Sequence, residues 1–254
     1  MPSLPSQQGT PQEPEQRKVA LVVVAHPDDA EFMAAGTVAA WVADGWDVHY
    51  VICTDASGGG PDDAEDVSPQ ARQAMSDVRK REQRAACDVL GVKDIVFLDY
   101  PDGQLQPSMT LRRDIVRALR RYRPTRVICQ SPDRSWTPDY MIGGYHPDHL
   151  AAGVATIAAI YPASQNGWDF PELLKEDLKP HKVREVYFSG APTSNVAVDI
   201  SSVIDQKFTA LRAHTSQLAE HFDEIEAQVR IWTAETGKKH GMEHAEEFHR
   251  AENR

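Results

Sequence analysis

The sequence predicts an α/β protein: a Rossmann-like, mostly parallel sheet flanked by helices on both faces. Two observations carry that reading. The runs VALVVVA (19–25), DVHYVICT (47–54), DIVFLDY (94–100) and TRVICQS (125–131) are short, β-branched and nearly continuous in hydrophobicity, as strands buried on both faces are. Helical segments alternate with them, and that alternation builds parallel sheets from βαβ units.

Residues 1–17 are rich in Pro, Gln and Ser and poor in large apolar residues, so a disordered leader is expected ahead of one domain over 18–254. After the first strand, a helix is expected over 31–44, with Asp28 and Glu31 of HPDDAE as a capping box at its start. A second helix, about 68–90, ends at Gly91; a third, 109–122, stops before Pro124. A fifth strand near 185–190, an edge strand at 195–200 and a charged helical segment from Ser201 to about Ala234 complete the chain.

Length and composition bound the function. A chain of 254 residues, 41% hydrophobic, can bury a sizeable core. No apolar run approaches the roughly 18 residues of a membrane span, and the N-terminus has no secretory h-region, so a soluble cytoplasmic protein without a membrane partner is expected. A net charge of −11 disfavours nucleic acid, because phosphate binding relies on Lys and Arg. The arginine-rich LRRDIVRALRRYRPTR (111–126) interleaves apolar residues near helical spacing, which reads as a solvated outer helix face. Cys53, Cys87 and Cys129, odd in number and without CxxC spacing, read as structural. The chain is compatible with a homo-oligomer.

Ligands of open parallel sheets bind outside the carboxyl ends of the strands. The first strand runs into HPDDAE, and GGYHPDHLAAGVATIAAIY repeats the plan of His-Pro-Asp followed by an Ala-rich helix. A capping box accounts for one Asp and the Glu, but not for His26 or Asp29, which are costly to desolvate unless a cation joins them. His26, Asp28, Asp29, His146 and His149 are therefore candidates for a catalytic metal, which takes three protein ligands and leaves two groups for proton transfer. Spacing alone leaves open which group does which. The glycine-rich segment 56–70 lacks the Lys-Ser/Thr of a P-loop and reads as a rim over the site.

AHPDDAE together with HPDH resembles the LmbE-like, or PIG-L, superfamily of zinc-dependent N-deacetylases. That group includes the deacetylases of mycothiol and bacillithiol biosynthesis and the GlcNAc-phosphatidylinositol deacetylase. VRKREQRAACDVLGV and DISSVIDQKFTALRAHTSQL are similar to further family segments. The resemblance implies His26, Asp29 and His149 as zinc ligands, Asp28 as general base, and His146 as acid or electrophile oriented by Asp148. It also implies Arg79, Asp102 and His214 as substrate-binding residues. The implied reaction is removal of an N-acetyl group from an N-acetylglucosamine-type or related small-molecule substrate by a zinc-bound water. An N,O ligand set suits Zn2+ and Fe2+ alike. Two departures bear on the substrate: Asp-Asp-Ala-Glu replaces the Asp-Asp-Glu of mycothiol-type enzymes, and no membrane anchor is visible for a lipid-embedded substrate. Alternatives are an amidase acting on a thiol conjugate or acylated natural product with the same site, and a non-enzymatic nucleotide-binding or regulatory module.

Overall fold

The computed structural model describes residues 18–61, 63–135 and 145–254. The expected disordered leader, 1–17, and the Gly143–Gly144 pair ahead of His146 lie outside these described residues.

In chain order the first half comprises β1 (Val19–Val24), α1 (Asp29–Ala43), β2 (Asp47–Thr54), α2 (Pro69–Leu90), β3 (Asp94–Tyr100), α3 (Met109–Tyr122) and β4 (Arg126–Gln130). The second comprises α4 (Pro147–Ile160), α5 (Glu172–Lys175), β5 (Glu185–Ser189), β6 (Val196–Asp199), α6 (Ile204–Arg212), α7 (Thr215–Leu218), α8 (Phe222–His240) and β7 (Ala245–Glu252). The sheet order is β3-β2-β1-β4-β5-β7-β6. The first five strands in that order are parallel, and β7 runs antiparallel to both β5 and β6. Strand order therefore reverses between β1 and β4, and the crevice at their carboxyl ends is where such a sheet receives a ligand.

Alternating side chains divide the core into two layers, as strand pleating requires. Leu21, Val23, Val51 and Val127 meet Ile115 and Leu119 of α3 and Ala152 and Ala155 of α4. Ala20, Val22, Val24 and Ile52 meet Val38 of α1, Leu90 of α2 and Ala210 of α6. All six residues of β1 are buried, which is why its sequence carries no polar position. All three cysteines are free and buried.

Three expectations need correction. Strand β7 was not anticipated, because AEEFHRAE offers only Phe248 as a large apolar residue; Phe248 packs edge-on against Tyr187 and is 1% exposed. The arginine-rich α3 does not turn all its arginines to solvent: Arg120 is 2% exposed, and its guanidinium donates to the carbonyls of Ala163, Ser164, Asn166 and Asp169. One guanidinium with five N–H donors thus gathers four carbonyls of the loop after α4. The third correction concerns the capping box and belongs to the site.

Helix α4 sits on the end of β4 through Gly153, where an added Cβ would lie 2.5 Å from the Gln130 carbonyl oxygen. Backbone cannot yield there as a flexible side chain would. Gly153→Ala should cost about 1–3 kcal/mol of stability, read from a chemical denaturation midpoint, through displacement of the helix that carries His149. An unchanged midpoint would mean that α4 is not seated by this contact.

Candidate active site

The loop after β1 is shaped by a residue in the left-handed region. Asp28, at the N-cap of α1, has φ 80°, and its carboxylate makes no capping bond. The expected reciprocal box with Glu31 is absent. Gln83 of α2 takes its place, accepting the Asp28 amide at 3.0 Å through Oε1 and donating through Nε2 to both Glu31 oxygens at 3.1 Å. The Asp28 carboxylate, released from capping, turns to Arg79 Nη2 at 3.3 Å. Burial raises its pKa to about 6, against the pull of the Arg79 guanidinium.

Asp29 turns the other way and meets two histidines. Its Oδ1 lies 3.0 Å from His149 Nε2, and its Oδ2 lies 3.5 Å from His26 Nδ1. Oδ2 also accepts the His26 amide at 2.8 Å and the Gln130 side-chain amide at 2.9 Å. Burial works against its charge, yet the bonds from His149 and His26 hold Asp29 ionised far below the usual carboxylate range. Gln130 in turn accepts the Ala25 amide, so one side chain at the end of β4 ties the start of the HPDDAE loop to its metal-ligand candidate.

His26 is surrounded by carboxylates. Its Nε2 lies 3.1 Å from Asp102 Oδ1 and 3.2 Å from Asp148 Oδ2, with Asp29 at the opposite ring nitrogen. The side chains of all four are at most 10% exposed. Burial lowers the imidazole pKa, but the hydrogen bonds to Asp102, Asp148 and Asp29 outweigh it and raise the value to about 11. Three carboxylates converging on one buried ring call for a compensating cation, and a divalent metal would supply that charge. Donor atoms of His26, His146 and His149 lie within 4.8 Å of one another, as do those of His26, Asp102 and Asp148. Both groups offer the imidazole and carboxylate donors that such a metal takes, but neither includes Asp29, which meets His26 and His149 pairwise through its two different oxygens.

His146 is the N-cap of α4, and its Nδ1 accepts the Asp148 backbone amide at 3.1 Å. That bond leaves the ring proton on Nε2, which becomes a donor. Burial, with His26 adjacent, lowers its pKa and favours this neutral form. The expected orienting role of Asp148 needs restating: it acts on His146 through its backbone amide. Its carboxylate is used elsewhere, accepting from the Gly103 and Leu105 amides at 2.8 and 3.1 Å as well as facing His26.

The expected substrate residues lie at different depths. Arg79 is 5% exposed, bonded to the Pro27 carbonyl and Asp28, with Asp102 at 3.8 Å. Asp102 joins the His26 group, and its other oxygen accepts the Gly58 amide of the glycine-rich segment at 2.9 Å. His214 does not line an opening: it is 0% exposed, with Nε2 3.1 Å from Glu31. It is enclosed with a buried carboxylate at the first turn of α1.

Two contributors escaped the sequence reading, Gln83 and Gln130. The available signal for Gln130 was a polar residue closing an otherwise apolar strand; for Gln83 it was the spacing Arg79, Gln83, Cys87 along one helix face.

The fold and site define an α/β protein whose sheet switch point carries a His and carboxylate cluster that could hold a metal ion. The chain belongs to the PIG-L family, described as GlcNAc-PI de-N-acetylase, which matches residues 21–160. It is 33% identical over 230 residues to a diacetylchitobiose deacetylase of Thermococcus kodakarensis, covering 90% of this chain and 81% of that one. It is 29% identical over 229 residues to a probable N-acetyl-alpha-D-glucosaminyl L-malate deacetylase 2 of Bacillus cereus, covering 86% and 92% of the two chains. The crystal structure of N,N'-diacetylchitobiose deacetylase from Pyrococcus horikoshii superposes with a TM-score of 0.81 at 27% identity, covering 92% of this chain and 84% of that one.

Proposed function

We propose that this chain is a zinc-dependent N-deacetylase that releases acetate from an N-acetylglucosamine-type small molecule. The observation that carries the reading is the convergence of His26, Asp29 and His149 beside a freed Asp28 carboxylate and a donor-form His146. The names of the three similar proteins given above, each a deacetylase, support the substrate class. Residues 18–254 are read as one deacetylase domain, a reading supported by the two relatives, each aligned over more than four-fifths of the chain, and by the C-terminal β7 lying between β5 and β6. Among the described residues no helix is long and apolar enough to cross a membrane.

His26, Asp29 and His149 would hold the metal, which supplies Lewis-acid activation of water and of the amide carbonyl. Asp28 takes the proton of the attacking water; a carboxyl raised to about 6 is well matched to that work near neutral pH. Arg79 fixes the direction of Asp28 and keeps its charged form available. His146 donates from Nε2 to the oxygen on which negative charge develops. The C–N bond then breaks, the proton held by Asp28 passes to the nitrogen, and acetate and a free amine result.

The test is product analysis by NMR on N-acetylglucosamine and N,N'-diacetylchitobiose. Acetate and free amine in equal amounts support the reading; release only from amides of larger acyl groups would favour the amidase alternative. A further expectation concerns Gln130. Gln130→Met should weaken metal affinity about 10- to 100-fold, measured by competition with a chromogenic chelator, because Asp29 loses the donor that aims it. Unchanged affinity would remove Gln130 from the support of the site.

A further inference from the structure

The parallel strands β1, β4 and β5 all begin at the end of the sheet opposite the histidine cluster, and a cavity of about 960 Å³ opens there. Its described lining carries six basic side chains against two carboxylates, in a chain whose net charge is −11. Backbone bonds set these cations in a row. The Val19 carbonyl, next to Lys18, accepts the Thr125 amide; the Thr125 carbonyl, next to Arg126, accepts the Arg184 amide; and the Arg184 carbonyl accepts the amide of Asn253, next to Arg254. Neighbouring strands lie about 4.8 Å apart, so the row crosses roughly 15 Å. The two carboxylates are already matched by arginines. Glu185 faces Arg126 at 2.7 Å and Arg250 at 3.6 Å, and Glu252 faces Arg250 at 3.1 Å and Arg254 at 2.9 Å. Lys18 and Arg123 donate to the main-chain carbonyls of Asp44 and Pro180, which carry no charge to offset theirs.

We propose that this cavity binds a small molecule carrying two or more adjoining phosphate groups, at a site separate from the candidate active site and independent of the deacetylase reading. A cleft lined by one sign of charge concentrates counter-ions, and the volume here is that of a small-molecule site. At about 1.5–2 negative charges per group near neutral pH, two phosphates balance the excess of basic side chains. Lone orthophosphate is too small to bridge cations set on successive strands, whereas adjoining phosphates meet several of them at once. Guanidinium forks suit phosphate oxygens, and part of the wall is fixed in advance: Arg126 lies over the Trp46 ring at 4.2 Å, held by Glu185. His181, whose pKa burial lowers, adds a neutral ring to the lining.

The experiment is calorimetric titration of the full chain with inorganic pyrophosphate, ADP, orthophosphate and citrate, before and after chelation of the protein. Wild type is compared with the double variant Lys182→Gln, Arg184→Gln at the rim, and with Lys238→Gln, Lys239→Gln, which removes the same charge from exposed positions on α8. Pyrophosphate should bind wild type and the α8 variant alike, with or without chelation, and should bind the rim variant on the order of tenfold more weakly. Orthophosphate and citrate should bind wild type more weakly than pyrophosphate does. Tighter binding of ADP than of pyrophosphate would uphold the site with a nucleotide as the source of the phosphates; equal or weaker binding of ADP would uphold it with a simple diphosphate. No pyrophosphate binding, equal weakening in both double variants, citrate bound as tightly as pyrophosphate, binding lost on chelation, or a change in oligomeric state by light scattering as the sole effect of the rim variant would overturn the proposal.

Discussion

Asp28→Asn should lower turnover about a hundred- to ten-thousandfold while leaving metal content at the wild-type level. The amide keeps the shape of the side chain and can still face Arg79, but it cannot accept a proton from water. The separation of the two effects follows from the geometry. Asp29, at the next position, is the carboxylate between His26 and His149; Asp28 points to Arg79 because its left-handed backbone turns it away from the helix it precedes. Turnover near the wild-type rate would remove Asp28 from proton transfer, and loss of metal would move it among the ligands.

Lys207→Met should cost about 3–5 kcal/mol of stability, the usual consequence of leaving one partner of a buried ion pair without the other. Lys207 is 0% exposed and lies 2.7 Å from Glu246. The pair also serves the middle of α1. Lys207 donates to the carbonyls of Glu31 and Phe32, both at 2.8 Å, and Glu246 accepts the amides of Gly36 and Thr37 at 3.0 and 2.7 Å. The double variant Lys207→Met, Glu246→Leu should recover only part of the loss, since these four backbone groups lose their side-chain partners. Denaturation midpoints of both variants check this; full recovery in the double variant would mean that the backbone bonds add nothing.

Much of the arrangement was legible because it rests on local patterns. Four of the strands show themselves as apolar runs, and the polar segments that follow them carry the histidines and aspartates that the structure gathers at the sheet switch point. What stayed hidden depends on contacts distant in sequence. The box of Asp28 and Glu31 is a sound local reading, but Gln83, more than fifty residues on, supplies the bonds instead and so frees Asp28. His214 reads as a polar-helix residue and proves to be enclosed by Glu31 from the other end of the chain. Arg120 looks like its exposed neighbours, and only the carbonyls of a loop 43 to 49 positions away explain its burial. Strand β7 pairs between β5 and β6 on backbone bonds, with little hydrophobic pattern to announce it.

The central claim is that the His26, Asp29 and His149 cluster holds the divalent metal on which deacetylation depends. It is tested most directly by measuring metal content by ICP-MS and acetate release on the same preparations of wild type and His149→Ala, before and after chelation and zinc return. The account predicts about one metal ion per wild-type chain, acetate release that stops on chelation and returns with zinc, and loss of both in His149→Ala. Full acetate release from metal-free protein, or full metal occupancy in His149→Ala, would contradict it.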